Sequence, residues 1–200
     1  MPVSSTKRDR RKVAIITGQH AFDVPAFYAL LRSIPDIDFY PQHMEDYVAD
    51  TGQARDWYDA VVFFNYHQTI AEDGHRSEMR EVLGKLGQSE QGIVLWHHGL
   101  VAFPRWQRWA DVSGIENRTS TAHVGQTISV EPVDREHPIT QGLSGWEMVD
   151  ETYDMKAIPR DSKILLATNH PLSMRAIAWT RQYGQARVFC YQSGHDKQAY

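Results

Sequence analysis

Gly92-Ile93-Val94-Leu95-Trp96-His97-His98-Gly99-Leu100, GIVLWHHGL, is the stretch on which the fold turns. Its first half is apolar without alternation, the pattern of a strand covered on both faces in a parallel sheet. It then runs into two imidazoles and a glycine, where a sheet hands over to a helix. Three other runs share this character: VAIIT at 13–17, AVVFF at 60–64 and RVFCY at 187–191. IDFY at 37–40 is shorter and is expected nearer a sheet edge. Helical patterns lie between them. Asp23 can cap a helix with Pro25 just inside it, and Phe27, Leu30, Leu31 and Ile34 make one apolar stripe. Met79, Val82, Leu83 and Leu86 repeat that spacing before Gly87, and Pro104 opens a short helix carrying Trp106 and Trp109. Strands alternating with helices predict an α/β fold with a doubly wound, mostly parallel sheet.

From about residue 124 the pattern changes. TISVEPV at 127–133 alternates, and KILLAT at 163–168 and AIAWT at 176–180 are short runs between turns. An antiparallel extension of the same sheet is expected in this C-terminal half. No linker, repeat or low-complexity tract divides the chain. Residues 12–200 therefore read as a single domain behind a flexible, polar and basic N-terminal tail at 1–11. RVFCYQSGHDKQAY breaks off soon after a strand, so the domain is expected to lack its last covering helix.

The formal charge of −4 over 200 residues argues against a nucleic-acid partner, which would select a basic face. The only cysteine, Cys190, rules out an internal disulfide and reads as a small core residue. No run has the length of a membrane span and the N-terminus lacks the apolar segment of a secretory signal. A cytoplasmic protein with no membrane partner is expected.

Ligands of parallel sheets bind beyond the carboxyl ends of the strands. VAIIT is followed there by His20 and Asp23, AVVFF by Asn65 and His67, IVLW by His97 and His98, and RVFCY by Ser193 and His195. Each buried strand thus delivers a histidine to one rim. His97, pushed up at a tight strand-to-helix turn with Gly99 relieving the crowding, is the leading candidate. His98 is expected to point elsewhere. Glu151 and Tyr153, in DETY at 150–153, read either as a solvated acidic turn or as groups aimed at the cleft. Catalytic roles are expected for His97, Glu151 and His195, with His20, Asp23, Asn65, His67, His123 and Tyr153 binding substrate. Imidazoles with a carboxylate also suit a divalent metal such as zinc, for which His20, His97 and His195 would be the ligands.

The ordered set GQHAFD, GIVLWHHGL, FPRWQRW, AHVGQTISV, HPIT, DETY, AIAWTRQYGQARVF and GHD, over residues 12–196, resembles the ThuA-like family, the trehalose-utilisation proteins. The resemblance implies a flavodoxin-like fold related to class I glutamine amidotransferases. It also implies a role in carbohydrate metabolism beside a sugar oxidoreductase. By resemblance His20, His97, His123, Glu151 and His195 match recurrent polar positions of the family. The amidotransferase relatives carry a nucleophilic Cys on the elbow of a G-x-C-x-G turn. His97 stands at the like position, which excludes a thioester there and with it Cys-dependent glutaminase activity. Gly99 replaces the Ala of many relatives, a mild change on this reading.

Three functions remain open on the sequence. The first is an enzyme acting on a sugar or keto-sugar, a small-molecule carbohydrate, by His/Glu acid–base chemistry. The second is a sugar-binding or accessory module without chemistry; a homo-oligomer is compatible with any of the three. The third is a zinc-dependent hydrolase.

Overall fold

The computed structural model describes residues 10–70, 77–155 and 159–200. Its elements in chain order are β1 (Arg11–Thr17), α1 (Val24–Ser33), β2 (Ile37–His43), α2 (Met44–Ala49), β3 (Ala60–Phe63), α3 (Ser77–Leu83), β4 (Gly92–Trp96), α4 (His98–Val101), α5 (Gln107–Ser113), β5 (Ala122–Pro132), β6 (Trp146–Tyr153), β7 (Ser162–Ala167), β8 (Ala176–Tyr183) and β9 (Ala186–Tyr191). All nine strands form one sheet in the order β2-β1-β3-β4-β9-β8-β7-β5-β6. The first five of that order run parallel, and β8, β7, β5 and β6 continue it by antiparallel pairs. The fold is α/β, with the expected parallel half and the expected antiparallel extension, and IDFY does lie in the edge strand β2.

The continuous apolar runs have a direct cause. Successive side chains of a strand point to opposite faces. Val13 and Ile15 of β1 pack on one face with Phe27, Leu31 and Phe64, beneath α1. Ala14 and Ile16 pack on the other with Phe63, Leu83, Leu95 and Trp109, beneath α2, α3 and α5. A smaller cluster of Ile128, Val130, Leu166, Ile177 and Ala178 holds the antiparallel half. Cys190 is fully buried in the larger cluster.

Several boundaries differ from the sequence reading. DETY is no turn: it is the inner end of β6, and Asp150–Tyr153 are all buried. Polar residues at buried positions hid that strand. The six-residue α2 is too short to show a period. The third helix, α3, stops at Leu83, before Leu86. The helix carrying Trp109 starts at Gln107, beyond Pro104, and ends on Gly114 in the left-handed region at φ 80°. The predicted tail falls mostly outside the described residues, and its last residue, Arg11, opens β1. Among the described residues no helix is long and apolar enough to cross a membrane.

Candidate functional site

Because β1, β3, β4 and β9 are parallel neighbours, Thr17, Phe63, Trp96 and Tyr191 end on the same rim of the sheet. The loops after them carry the polar groups. His97 sits at φ 48°, ψ −106° between β4 and α4. For a residue with a Cβ this conformation costs on the order of 1–3 kcal/mol. The surroundings hold it there. Its amide donates to the Tyr191 carbonyl at 2.8 Å. Its Nδ1 lies 2.5 Å from the Gln192 carbonyl oxygen. A carbonyl only accepts, so Nδ1 carries the hydrogen and Nε2 of the neutral ring presents a lone pair.

That Nε2 is a meeting point. The Tyr153 hydroxyl lies 3.1 Å away, His195 Nδ1 3.2 Å and Glu151 Oε1 3.5 Å. Glu151 Oε2 is in turn 3.6 Å from His195 Nδ1. His97 is fully buried and Glu151 is 7% exposed, while His195 stands at the mouth. Burial raises the Glu151 carboxyl, but its contacts with His97, His195 and the Tyr153 hydroxyl outweigh that and hold the group below the ordinary carboxylate range. Burial, then the Glu151 charge, pushes the Tyr153 phenol well above its usual value. The pair is thus an ionised carboxylate beside a protonated phenol.

Asp150 holds this group in place. Its carboxylate accepts the amide hydrogens of Glu151 at 2.8 Å, Gly194 at 2.7 Å and His195 at 3.0 Å. One buried side chain so ties β6 to the loop after β9. Gly194 is required there: it has φ 112° and the Trp96 indole occupies the place of a Cβ. Asp150→Ala leaves three amides without an acceptor. It is expected to cost about 3 kcal/mol at 1–3 kcal/mol per unsatisfied group, read as a lower denaturation midpoint.

His98 departs from expectation. It does not point away: its ring centroid lies 4.3 Å from that of His97, 3.8 Å from His20 and 5.4 Å from His195. It is 2% exposed. Neither of its ring nitrogens has a hydrogen-bond partner among the described residues. Burial, then the charges of His97, His20 and His195, holds it strongly towards the neutral form. A pH dependence follows. The unfolded ring takes a proton near its ordinary 6.5 and the folded ring does not. Stability is therefore fully present above that pH and falls below it, by about 1.4 kcal/mol per pH unit for this ring. Denaturation midpoints in chelator-containing buffer would show this as a loss between pH 6.5 and 5, and a flat profile would contradict it.

The remaining sequence candidates separate. His20 joins the central group through its ring contacts with His98 and His195. Asp23 caps α1, accepting from the Ala26 amide at 3.0 Å. His123 on β5 pairs with Asp154 at 3.4 Å, and neither residue contacts His97 among the described interactions. Asn65 and His67 belong to a second polar group. Asn65 Nδ2 donates to His67 Nδ1 at 3.2 Å, and Glu45 bridges His67 Nε2 at 3.5 Å and His43 Nδ1. A cavity of about 500 Å³ opens beside it, lined by Gln19, Glu45, His67, Gln68 and Thr69. Asp150, His98, Gln192, His43 and Glu45 were not anticipated as functional. Only the adjacency of His98 to His97 could have signalled one of them.

Comparison with known proteins agrees with this architecture. The family model ThuA, described as trehalose utilisation, matches residues 17–200. A ThuA-like protein from Bacteroides uniformis is 18% identical with a TM-score of 0.72, over 100% of this chain and 88% of that one. Another from Parabacteroides merdae is 20% identical with a TM-score of 0.69, over 93% and 80%. A glutamine amidotransferase from Thermotoga maritima is 12% identical with a TM-score of 0.53, over 91% and 75%. At these identities the solved structures bear on the fold, which is of the glutamine amidotransferase-like, flavodoxin type. No curated protein matches the sequence.

Proposed function

The chain belongs to the ThuA family, and from that premise we propose that it is an enzyme of carbohydrate metabolism acting on a keto-sugar by proton transfer. Membership of a trehalose-utilisation family supports a carbohydrate-related role. The chemistry rests on one observation: Glu151, His195 and Tyr153 converge on the Nε2 of His97 within 3.1–3.5 Å. A ketone acidifies the C–H beside it. Glu151, ionised, takes that proton as base. The Tyr153 hydroxyl, seated beside His97, and His195 face the carbonyl oxygen as it gains negative charge. The electron pair left on carbon then either returns with a proton at the neighbouring position, an isomerisation, or expels the glycosidic oxygen, an elimination in which the proton held by Glu151 passes to the leaving oxygen and frees it as an alcohol. A disaccharide oxidised at carbon 3 suits the second course, because the acidified carbon adjoins the anomeric one. A second sugar ring would occupy the cavity at Gln19, Glu45 and His67, whose amide, carboxylate and imidazole groups can bond hydroxyls. An oxidoreductase that makes the ketone is the matching partner, and a cytoplasmic setting belongs to the same reading.

The test is incubation of the protein with 3-keto disaccharides and with their parents. Consumption of the keto forms alone is expected. If neither is consumed, with or without added zinc, the enzyme reading fails.

A further inference from the structure

We infer that His97, His98, His195 and Glu151 form the binding site of one zinc ion. The four side chains come from three separate places, the β4–α4 elbow, β6 and the loop after β9. One candidate ligand atom from each lies within 4.8 Å of all the others. Bonds of about 2.0–2.1 Å in a tetrahedron place neighbouring ligand atoms roughly 3.3–3.4 Å apart. The observed separations bracket that value: 3.2 Å for His97 Nε2 to His195 Nδ1, 3.5 Å for His97 Nε2 to Glu151 Oε1, and 3.6 Å for His195 Nδ1 to Glu151 Oε2.

Hydrogen bonding alone serves this group badly. With Nδ1 of His97 committed to Gln192, its Nε2 offers a single lone pair, and the Tyr153 hydroxyl and His195 Nδ1 both approach it. The ionised carboxylate faces the same lone pair with nothing to donate, and the Tyr153 hydroxyl, which also bonds Glu151, has one hydrogen for both. A cation at the common centre takes the imidazole lone pairs and the carboxylate together and leaves the Tyr153 hydrogen to Glu151. His98 supplies the independent observation. It is 2% exposed, both its nitrogens are without hydrogen-bond partners among the described residues, and it is packed against the other rings of the cluster. A buried imidazole with no hydrogen bond is costly unless a nitrogen has a ligand to hold. Three imidazoles and a carboxylate are a set that suits zinc. The Gln192 carbonyl on Nδ1 of His97 is the outer contact that fixes a ligating ring. The ligand set therefore differs from the one the sequence pointed to: His98 and Glu151 enter it, and His20 packs against it from outside.

In what the ion does for a sugar, this inference rests on the proposed function. Zinc, taking the carbonyl oxygen as a fifth ligand, would supply the polarisation otherwise left to Tyr153 and His195. The Glu151 oxygen not on the metal would remain free to accept the proton. In the binding itself, the inference stands apart from any sugar.

The experiment is metal analysis of the full chain purified without chelator, followed by cobalt substitution after chelation. About one zinc per chain is expected, and cobalt should give the visible absorption of a four-coordinate site. His98→Phe keeps the volume apolar and should weaken zinc by about two orders of magnitude or more, as a lost ligand should exceed the 10–100-fold cost of a lost outer contact. His123→Ala, outside the cluster, should retain full stoichiometry. Should His98→Phe fail to fold, zinc must still raise the melting temperature of the chelated native chain. A folded native chain that holds no zinc and takes up neither added zinc nor cobalt overturns the inference. Stoichiometric zinc without keto-sugar turnover upholds the ion and removes the sugar chemistry instead.

Discussion

Glu151→Gln is expected to lower turnover of a keto-disaccharide by about 10³-fold, within the range that a positioned general base contributes. The substitution keeps the shape of a side chain that is only 7% exposed. The amide can still meet His97, but it neither accepts a proton from carbon nor carries the negative charge of the native carboxylate. The amide of residue 151 still donates to Asp150, so the β6 connection survives. With metal chelated from both proteins, the thermal midpoint of the variant should therefore lie close to the native one. Near-native turnover in a folded Glu151→Gln protein would remove this residue from the chemistry.

Gly99→Ala is expected to destabilise the fold on the scale of Asp150→Ala, by crowding rather than by lost hydrogen bonds. By resemblance this position tolerates Ala, and the structure corrects that. A Cβ at Gly99 would sit against the Phe63 carbonyl oxygen, nearer than any real Cβ comes, and only 3.0 Å from the carbonyl carbon. Both obstacles are backbone of the central strand β3, which cannot swing aside. The short helix α4 would have to lift, taking with it the Gly99 carbonyl that accepts from the Trp109 indole at 2.7 Å. Overpacking of this kind costs about 3 kcal/mol, or roughly 6–12 °C in melting temperature for a chain of this size. Because α4 begins at His98, zinc affinity should fall as well. A melting temperature unchanged by the substitution would show that the elbow has room the structure does not.

Much of the fold is legible in the order of residues. GIVLWHHGL, VAIIT, AVVFF and RVFCY announce buried parallel strands because both faces of each are covered, so no polar alternation interrupts them. Asp23 announces α1 because a cap is a local interaction, three residues from oxygen to amide. β6 is not legible for the opposite reason. Asp150 and Glu151 are buried in it for the sake of Gly194, His195 and His97, groups more than forty residues away along the chain. Local pattern then reports a polar turn where tertiary contact has built a strand.

The site divides in the same way. The sequence by itself determined that histidines follow the buried strands and that His97 stands on the elbow, because parallel strands must end on one rim. It could not determine which rings meet. Asn65 and His67 share the rim with His97 yet join Glu45 and His43. His98, one residue from His97, turns inward because a left-handed elbow at φ 48° rotates the chain between them. Only the tertiary structure decided that four donors from the β4–α4 elbow, β6 and the loop after β9 gather round one point, since that depends on backbone angles and sheet register, for which no residue carries a local signal.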